Sequence, residues 1–235
     1  MLREGEIYFN TNTSLDMHIY LEKYPSIPVV NEDYEEVLVE GRSGSLIINK
    51  GTYPDKKIPL TFTLLHKDIY VKFDEIYEWL TNIVDNRLVC SRKDRCYRVK
   101  KVLFGNIEKE FRTIGEFEVT FICEPFSEDL DKTVYEITTN NFKFNYDGNA
   151  PADTLIKVYG SGNIQLTIDN ETMQINNVTD YVEIDSNLLQ VRNQDGTSKD
   201  DDLGDFILLE KGEHTISYTG TVTKIILEYT TKYKS

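Results

Sequence analysis

Two stretches of this chain alternate apolar and polar residues with a period of two. From Ile58 to Leu64, Ile58, Leu60, Phe62 and Leu64 alternate with Pro59, Thr61 and Thr63; from Phe117 to Cys123, Phe117, Val119, Phe121 and Cys123 alternate with residues that include Glu118 and Thr120. Successive side chains of a strand point to opposite faces, so this pattern predicts strands of a sheet with one buried face. Between them the period changes. Phe73, Ile76, Tyr77, Leu80, Ile83 and Val84 recur at three-and-four spacing, which predicts an amphipathic helix over Lys72 to Asp85. Asp74 and Glu75 in its first turn would complement the positive end of the helix dipole. Asn86 would stop it before the next strand. Trp79 falls at the margin of the apolar stripe, where packing against the sheet is expected in preference to stacking on a ligand.

Shorter patterns complete the first part of the chain, up to about residue 126. Strands are expected at Glu6–Phe9, Met17–Leu21, Glu36–Glu40, Ser45–Ile48 and Lys57–Leu65, then at Arg87–Cys90, Tyr97–Leu103 and Gly115–Cys123. Gly41, Gly44 and Gly51 punctuate a hairpin and permit backbone conformations that other residues resist. From Ser127 to Gly148 the composition turns acidic and then Asn-rich, which places a domain boundary between 130 and 145: a domain over 1–135 and a second over 136–235. The second shows no helical period. Leu155–Tyr159, Ile164–Ile168, Thr172–Ile175, Tyr181–Ile184, Leu188–Val191, Phe206–Leu209, Thr215–Tyr218 and Val222–Tyr229 read as strands. Gly160-Ser161-Gly162-Asn163 and Asp195-Gly196 read as turns between them, at spacings that suit a sandwich or jelly roll. The fold class is mainly β: a sandwich or barrel-like N-terminal domain with one α-helix, then a C-terminal β-sandwich. No internal repeat is present.

Composition supports a packed β protein. Of 235 residues, 40% are hydrophobic and 28% charged, and fifteen Tyr and eleven Phe stand against one Trp and three Met; aromatic side chains suit a pleated, half-buried surface. No apolar run approaches the ~20 residues that cross a bilayer, so no membrane insertion is expected. Met1-Leu2-Arg3-Glu4-Gly5-Glu6 lacks an apolar segment, so no secretory signal is expected either. The net charge of −14 excludes ordinary nucleic-acid binding, which gains affinity when Lys and Arg release counterions from phosphates. The surplus carboxylates keep a protein soluble, or serve a surface along which DNA must pass without adhering. Cys90, Cys96 and Cys123 are too few and too irregular for a disulfide framework, which points to folding in a reducing compartment. Cys123 sits in the apolar phase of its strand and reads as a small core residue.

Catalytic signatures are lacking in the sequence. His18, His66 and His214 are scattered, and neither a Gly-x-Ser-x-Gly nor a His-Glu-x-x-His pattern occurs. Cys90 and Cys96 are not at zinc-ligand spacing. Acidic pairs of the glycosidase kind cannot be selected among 40 Asp and Glu. Asn193, Asp195, Gly196 and Asp202 fall at positions an EF-hand loop uses, but Val191 occupies the first ligand position and flanking helices are absent, so that motif is rejected while an irregular calcium site stays open. Asp200-Asp201-Asp202 reads as a solvated loop. Sugar stacking on Tyr146, Tyr159, Tyr181, Tyr218 or Tyr229 of the second domain is an alternative, although strand alternation would bury most of them. No catalytic, cofactor-binding or metal-binding residue is assigned, and no cofactor is expected.

The order of elements from Gly41 to Phe126 is similar to that of the siphophage distal tail protein family. The resemblance rests on Gly41-Arg42-Ser43-Gly44, Tyr53, the strand through Phe62, the helix ending Trp79-Leu80, the strand at Tyr97 and Cys123-Glu124-Pro125-Phe126. Beyond it, Asn149-Ala150-Pro151, Val158-Tyr159-Gly160, the Ile184-Asp185 region and Leu209-Glu210-Lys211-Gly212-Glu213-His214 resemble the family's galectin-like C-terminal domain. Ser43 departs from the pattern, which often has an acidic residue there, and the Asp-rich 193–202 segment is an insertion.

The resemblance implies a structural part of a virion tail tip, assembled in the host cytoplasm. N-terminal domains would form a homo-oligomeric ring, a hexamer, stacked on the tail tube protein above and holding a tail-associated baseplate or fibre protein below, with a lumen for DNA. The Gly41–Tyr53 hairpin is then the expected interface element and the Tyr70–Asp85 helix a packing element. Two other functions compete: a carbohydrate-binding module of a virion or cell-surface protein, and a secreted glycoside hydrolase.

Overall fold

A computed structural model of the chain describes residues 5–111, 113–199 and 204–234. Contacts divide it into two compact units, the first running to Glu128 and taking back Lys234, the second spanning Asp129–Tyr233. The first unit comprises β1 (Tyr8–Phe9), β2 (Asn12–Thr13), β3 (Ile19–Leu21), β4 (Tyr34–Leu38), β5 (Ser45–Asn49), β6 (Lys56–Leu65), α1 (Ile69–Thr81), β7 (Arg87–Leu88), β8 (Arg95–Phe111) and β9 (Ile114–Asp129). Its main sheet has the order β3-β6-β9-β8-β7.

The two alternating stretches of sequence are neighbours in this sheet. Ile58 pairs with Phe121, Leu60 with Val119 and Phe62 with Phe117, so their apolar phases fall on one face. Helix α1 covers that face with Ile69, Ile76, Trp79 and Leu80. Phe73 meets Phe117 edge-on at 5.3 Å, and Phe9 meets Phe121 edge-on at 5.1 Å. Each side chain of this size that leaves water contributes about 1.5–3 kcal/mol. Cys123 is fully buried among them, the core role expected of it.

The helix starts and stops earlier than its spacing predicts. Asp68 caps it, its carboxylate accepting from Val71 N at 3.3 Å, an arrangement that contributes about 1 kcal/mol. The first turn therefore holds no acidic residue; Asp74 and Glu75 come later, and Glu75 pairs with Lys72 at 2.5 Å. The C-cap is Asn82, not Asn86, and Val84 leaves the apolar stripe to stand 83% exposed. The stop comes from a distant residue, Asn10, which bonds the last carbonyls of the helix.

The second unit contains β10 (Thr133–Ile137), β11 (Phe142–Tyr146), β12 (Ala152–Ile168), β13 (Glu171–Val178), β14 (Tyr181–Asp185), β15 (Gln190–Asn193), β16 (Leu208–Leu209), β17 (Gly212–Tyr229) and β18 (Lys232–Tyr233). Strands β12 and β17 run antiparallel and bend together, with register shifts at Tyr159/Gly160 and Ser161/Gln165. Before the bend β12 joins a sheet of order β10-β17-β12-β14-β15; beyond it β12 pairs with β13, and the first half of β17 pairs with β11. Inward residues of the two arms, among them Ile156, Val158, Leu166, Ile175, Val182, Ile216 and Leu227, form one core.

Three sequence expectations change here. Gly160-Ser161-Gly162-Asn163 is no turn between strands: it is the bend of β12, and a Cβ on Gly160 would meet the Thr221 carbonyl oxygen at 2.1 Å. Thr215–Tyr218 and Val222–Tyr229 likewise belong to one strand. The acidic and Asn-rich stretch read as a boundary carries β10 and β11, with Ile137, Phe144 and Tyr146 in the core. Tyr146 OH donates to Ala150 O at 2.7 Å and accepts from Lys232 N at 2.9 Å. Gly148 passes directly under that hydroxyl, where a Cβ would lie 2.2 Å from it.

Candidate interaction surfaces

The most exposed apolar surface of the first unit is the hairpin β4–β5. Among the described residues its strands pair only with each other, in the register Val37↔Leu46 and Glu36↔Ile47. Cross-strand partners share a face, so Val37, Leu46 and Ile48 lie on one side and Tyr34, Leu38 and Ile47 on the other. Leu38 is 85% exposed and Ile47 59%, and none of these residues joins the core. A two-stranded hairpin is marginal in water on its own, and exposed apolar residues concentrated on both of its faces mark an interaction surface. Its turn uses Gly41 and Gly44 at φ of 80° and 83°, as the glycine pattern predicts. At its base Lys50 N donates to Asp33 O and Asp33 N to Thr52 O, both at 2.8 Å.

The Tyr53 ring packs edge-on against Phe126 at 5.0 Å, and Lys234 Nζ bonds the Tyr53 hydroxyl at 2.7 Å. Trp79 is buried, its indole N–H donating to Phe9 O at 3.0 Å, which anchors the helix instead of offering a ring to a ligand. Near β8 and β9, Arg98 donates to Glu128 and to Asn86 Oδ1 (the latter at 3.1 Å), while Arg87 forks onto Asp85. The Arg87 guanidinium holds the Asp85 carboxyl below its ordinary range.

The chemistry-bearing residues are tied up structurally. His214 is buried, Nδ1 at 2.6 Å from Asp169 Oδ2 and Nε2 at 2.6 Å from Glu210 O, so both ring nitrogens are engaged within the fold. His18 and His66 lie against each other with ring centroids 6.1 Å apart. Burial pushes the Cys96 and Cys123 thiols up to about 12 and raises that of Cys90, which removes the thiolate that reactivity requires. Among the described residues no group of three or more His, Cys, Asp or Glu could hold a metal ion, and no helix is long and apolar enough to cross a membrane. Asp195 closes its own turn, accepting from Thr197 N at 3.0 Å and Thr197 Oγ1 at 2.6 Å; Asp200, Asp201 and Asp202 lie outside the described residues.

The tyrosines considered for sugar stacking separate into two groups. Tyr146 and Tyr229 are core residues. Tyr218 packs against the core and its backbone N–H and C=O bond the Asn140 side chain. Tyr159 and Tyr181 are half-buried register partners on the outer side of the β10-β17-β12-β14-β15 sheet, with ring centroids 5.0 Å apart.

A mainly β chain with one helix is the fold class expected from the sequence, and a solved structure matches it. The crystal structure of the Dit protein of phage SPP1, described as a paradigm of the hub adsorption apparatus in phages infecting Gram-positive bacteria, superposes with a TM-score of 0.73. The match covers 97% of this chain and 98% of that one at 12% sequence identity. The chain thus has the fold of that hub protein. No protein-family model matches the sequence, and no curated protein does.

Proposed function

We propose that this chain is a non-enzymatic structural component of a siphophage tail tip: a ring hub, built of six copies, that joins the tail tube to the baseplate or adsorption apparatus. The observation that carries this reading is the end-to-end match to SPP1 Dit, which spans both units and leaves almost no residue of either chain unmatched. The ring is made through the first unit. Hairpin β4–β5, apolar on both faces, and a different surface of the next copy form a head-to-tail contact, the kind that closes into a ring when the rotation allows. The tail tube protein lies on one side and a tail-associated baseplate or fibre protein on the other. Assembly takes place in the host cytoplasm, consistent with three free, buried cysteines. The net charge of −14 keeps DNA from adhering as it passes the lumen.

Electron microscopy of the purified protein, alone and mixed with a tail tube protein, tests the reading. Sixfold annuli that disappear in Leu38→Asp support it. A turnover activity abolished by one Asp or Glu substitution, in a protein that never assembles, overturns it.

A further inference from the structure

We propose that His18 and His66 form a binding site for one divalent transition-metal ion of the Zn²⁺, Ni²⁺ or Cu²⁺ kind, with water completing its coordination. The proposal goes beyond the hub reading and holds whether or not the chain builds a ring. Of the three histidines in the chain, His214 has both ring nitrogens engaged. His18 has no hydrogen bond to either ring nitrogen among the described residues, and His66 has none at Nε2. The sheet sets the two side by side. Ile19 of β3 pairs with Leu64 of β6, and one step beyond, Leu65 N donates to His18 O at 3.3 Å. His66 follows, its own N–H donating to Thr113 O at 3.2 Å. The two ring centroids lie 6.1 Å apart, with planes 25° from parallel. Two imidazoles sharing one ion through bonds of ~2.0–2.1 Å have centroids roughly 5–6 Å apart. A small turn of the exposed His18 side chain therefore brings both nitrogens onto a common point.

His66 already has the outer support of a metal ligand. Its Nδ1 lies 2.8 Å from Asp68 O, and a proton on Nδ1 donated to that carbonyl leaves the lone pair on Nε2. Histidines that bind metals almost always donate their other ring N–H in this way, to a carbonyl, a carboxylate or water. His18 is held at a φ of 60°, a conformation in which histidine is enriched and most side chains are rare. The donor chemistry selects the ion: imidazole suits Zn²⁺, Cu²⁺ and Ni²⁺, whereas Ca²⁺ and Mg²⁺ take oxygen ligands. Glu75 of α1 adds negative charge nearby. Its carboxyl is held below the ordinary range chiefly by its bond to Lys72, and further by His66 and His18. That bond, at 2.5 Å, keeps Glu75 from serving as a third ligand, so the two imidazoles make an open site. An ion there ties the turn before β3 to the start of α1, and by binding only the folded chain it stabilises the first unit.

The test is a titration of the full chain with Zn²⁺ at neutral pH, followed by calorimetry and by NMR of the histidine rings. Saturable binding of one ion per chain is expected, with the His18 and His66 ring signals shifting together and the His214 signal unmoved. His18→Gln and His66→Gln should each weaken binding at least about 10-fold, since loss of an outer support alone costs ~10–100-fold. His18 is exposed and outside the core, so its variant keeps the test valid if His66→Gln lowers stability. No saturable binding at millimolar Zn²⁺, binding that leaves the His18 and His66 signals in place, or affinity unchanged in both variants overturns the proposal. Leu38→Asp should leave Zn²⁺ binding intact, so failure of this site and failure of the ring are read separately.

Discussion

Asn10 holds the end of the helix that carries Trp79. Its Nδ2 donates to Trp79 O at 2.6 Å and to Asn82 O at 2.8 Å, while its Oδ1 accepts from Val84 N at 2.7 Å and Asp85 N at 3.1 Å. Trp79 reciprocates through its indole to Phe9 O. One side chain thus satisfies groups that a helix terminus leaves open, and it does so from the turn between β1 and β2 at a φ of 44°, which asparagine tolerates better than most residues. Replacing Asn10 by Ala leaves these groups unpaired and adds backbone strain, so the first unit should lose about 2–4 kcal/mol. Denaturant unfolding followed by Trp79 fluorescence measures it. A loss under about 0.5 kcal/mol, typical of a neutral surface position, would show that the helix end does not depend on Asn10.

Lys56 is a second buried polar group, with a cost instead of a benefit. Its side chain points inward at the start of β6, next to register partner Cys123, and its ammonium lies 5.0 Å from the Tyr97 ring centroid with no hydrogen-bond partner among the described residues. Burial lowers its pKa below the ordinary 10.5. Below the lowered value both folded and unfolded chains hold the proton, and the folded state bears the full penalty. As pH rises from there towards 10.5 the unfolded chain binds more proton than the folded one, so stability rises with pH and the penalty vanishes. Lys56→Met should therefore stabilise the protein by about 1–3 kcal/mol at neutral pH, with the gain shrinking as pH approaches 10.5. The Lys56 charge also acts on the Cys90 and Cys123 thiols, so the two proteins are compared with both cysteines replaced by Ala. A gain that grows with pH would contradict this assignment.

Two glycines at the bend of β12 separate steric from conformational need. A Cβ on Gly160 would press on the Thr221 carbonyl oxygen at 2.1 Å and on Ile164 Cδ1 at 2.9 Å, whereas Gly162 has open space around it at a φ of 77°. Gly162→Ala should cost about 1–2 kcal/mol, the penalty of the left-handed conformation. Gly160→Ala forces two paired strands apart and should cost more than about 3 kcal/mol. Thermal unfolding of the two variants compares them directly; the reverse order would mean that the bend can open without loss.

The hairpin residues make the opposite prediction, large effects on assembly with small effects on folding. Leu38 and Ile47 touch neither core, so Leu38→Asp and Ile47→Asp should shift the unfolding free energy of the isolated chain by no more than about 0.5 kcal/mol. Each places a charge on an apolar contact surface and should abolish higher-order assembly in sedimentation velocity. Destabilisation of the monomer by several kcal/mol would show that the hairpin packs within its own chain.

Much of this fold is legible in the sequence where one face of an element is buried. The alternation at Ile58–Leu64 and Phe117–Cys123 fixes both strands and the face they share, because a one-residue slip would expose every apolar residue. What the pattern misses depends on distant contacts. The helix stops at Thr81 because Asn10 meets it there, although Ile83 and Val84 continue the period. Strands β10 and β11 hide in a stretch whose Asn and Asp suggest a linker, since their inward residues Ile137, Phe144 and Tyr146 are few and spread between turns. The bend of β12 looks like a turn because glycines mark both, and only its close approach to Thr221 distinguishes them. For the interaction surfaces, Gly41, Gly44 and Gly51 signal the hairpin, but β4 begins at Tyr34, before the first of these three. Tyr159 and Tyr181 are separated in sequence, and their pairing follows only from strand order.

The central claim is that copies of this chain close into a ring. Single-particle electron microscopy of the full chain, alone and mixed with a siphophage tail tube protein, tests it most directly. The account predicts closed annuli of six copies, each contacting the next through hairpin β4–β5, in at least one of the two samples. Isolated monomers in both samples, with the hairpin free in the averaged density, would contradict it.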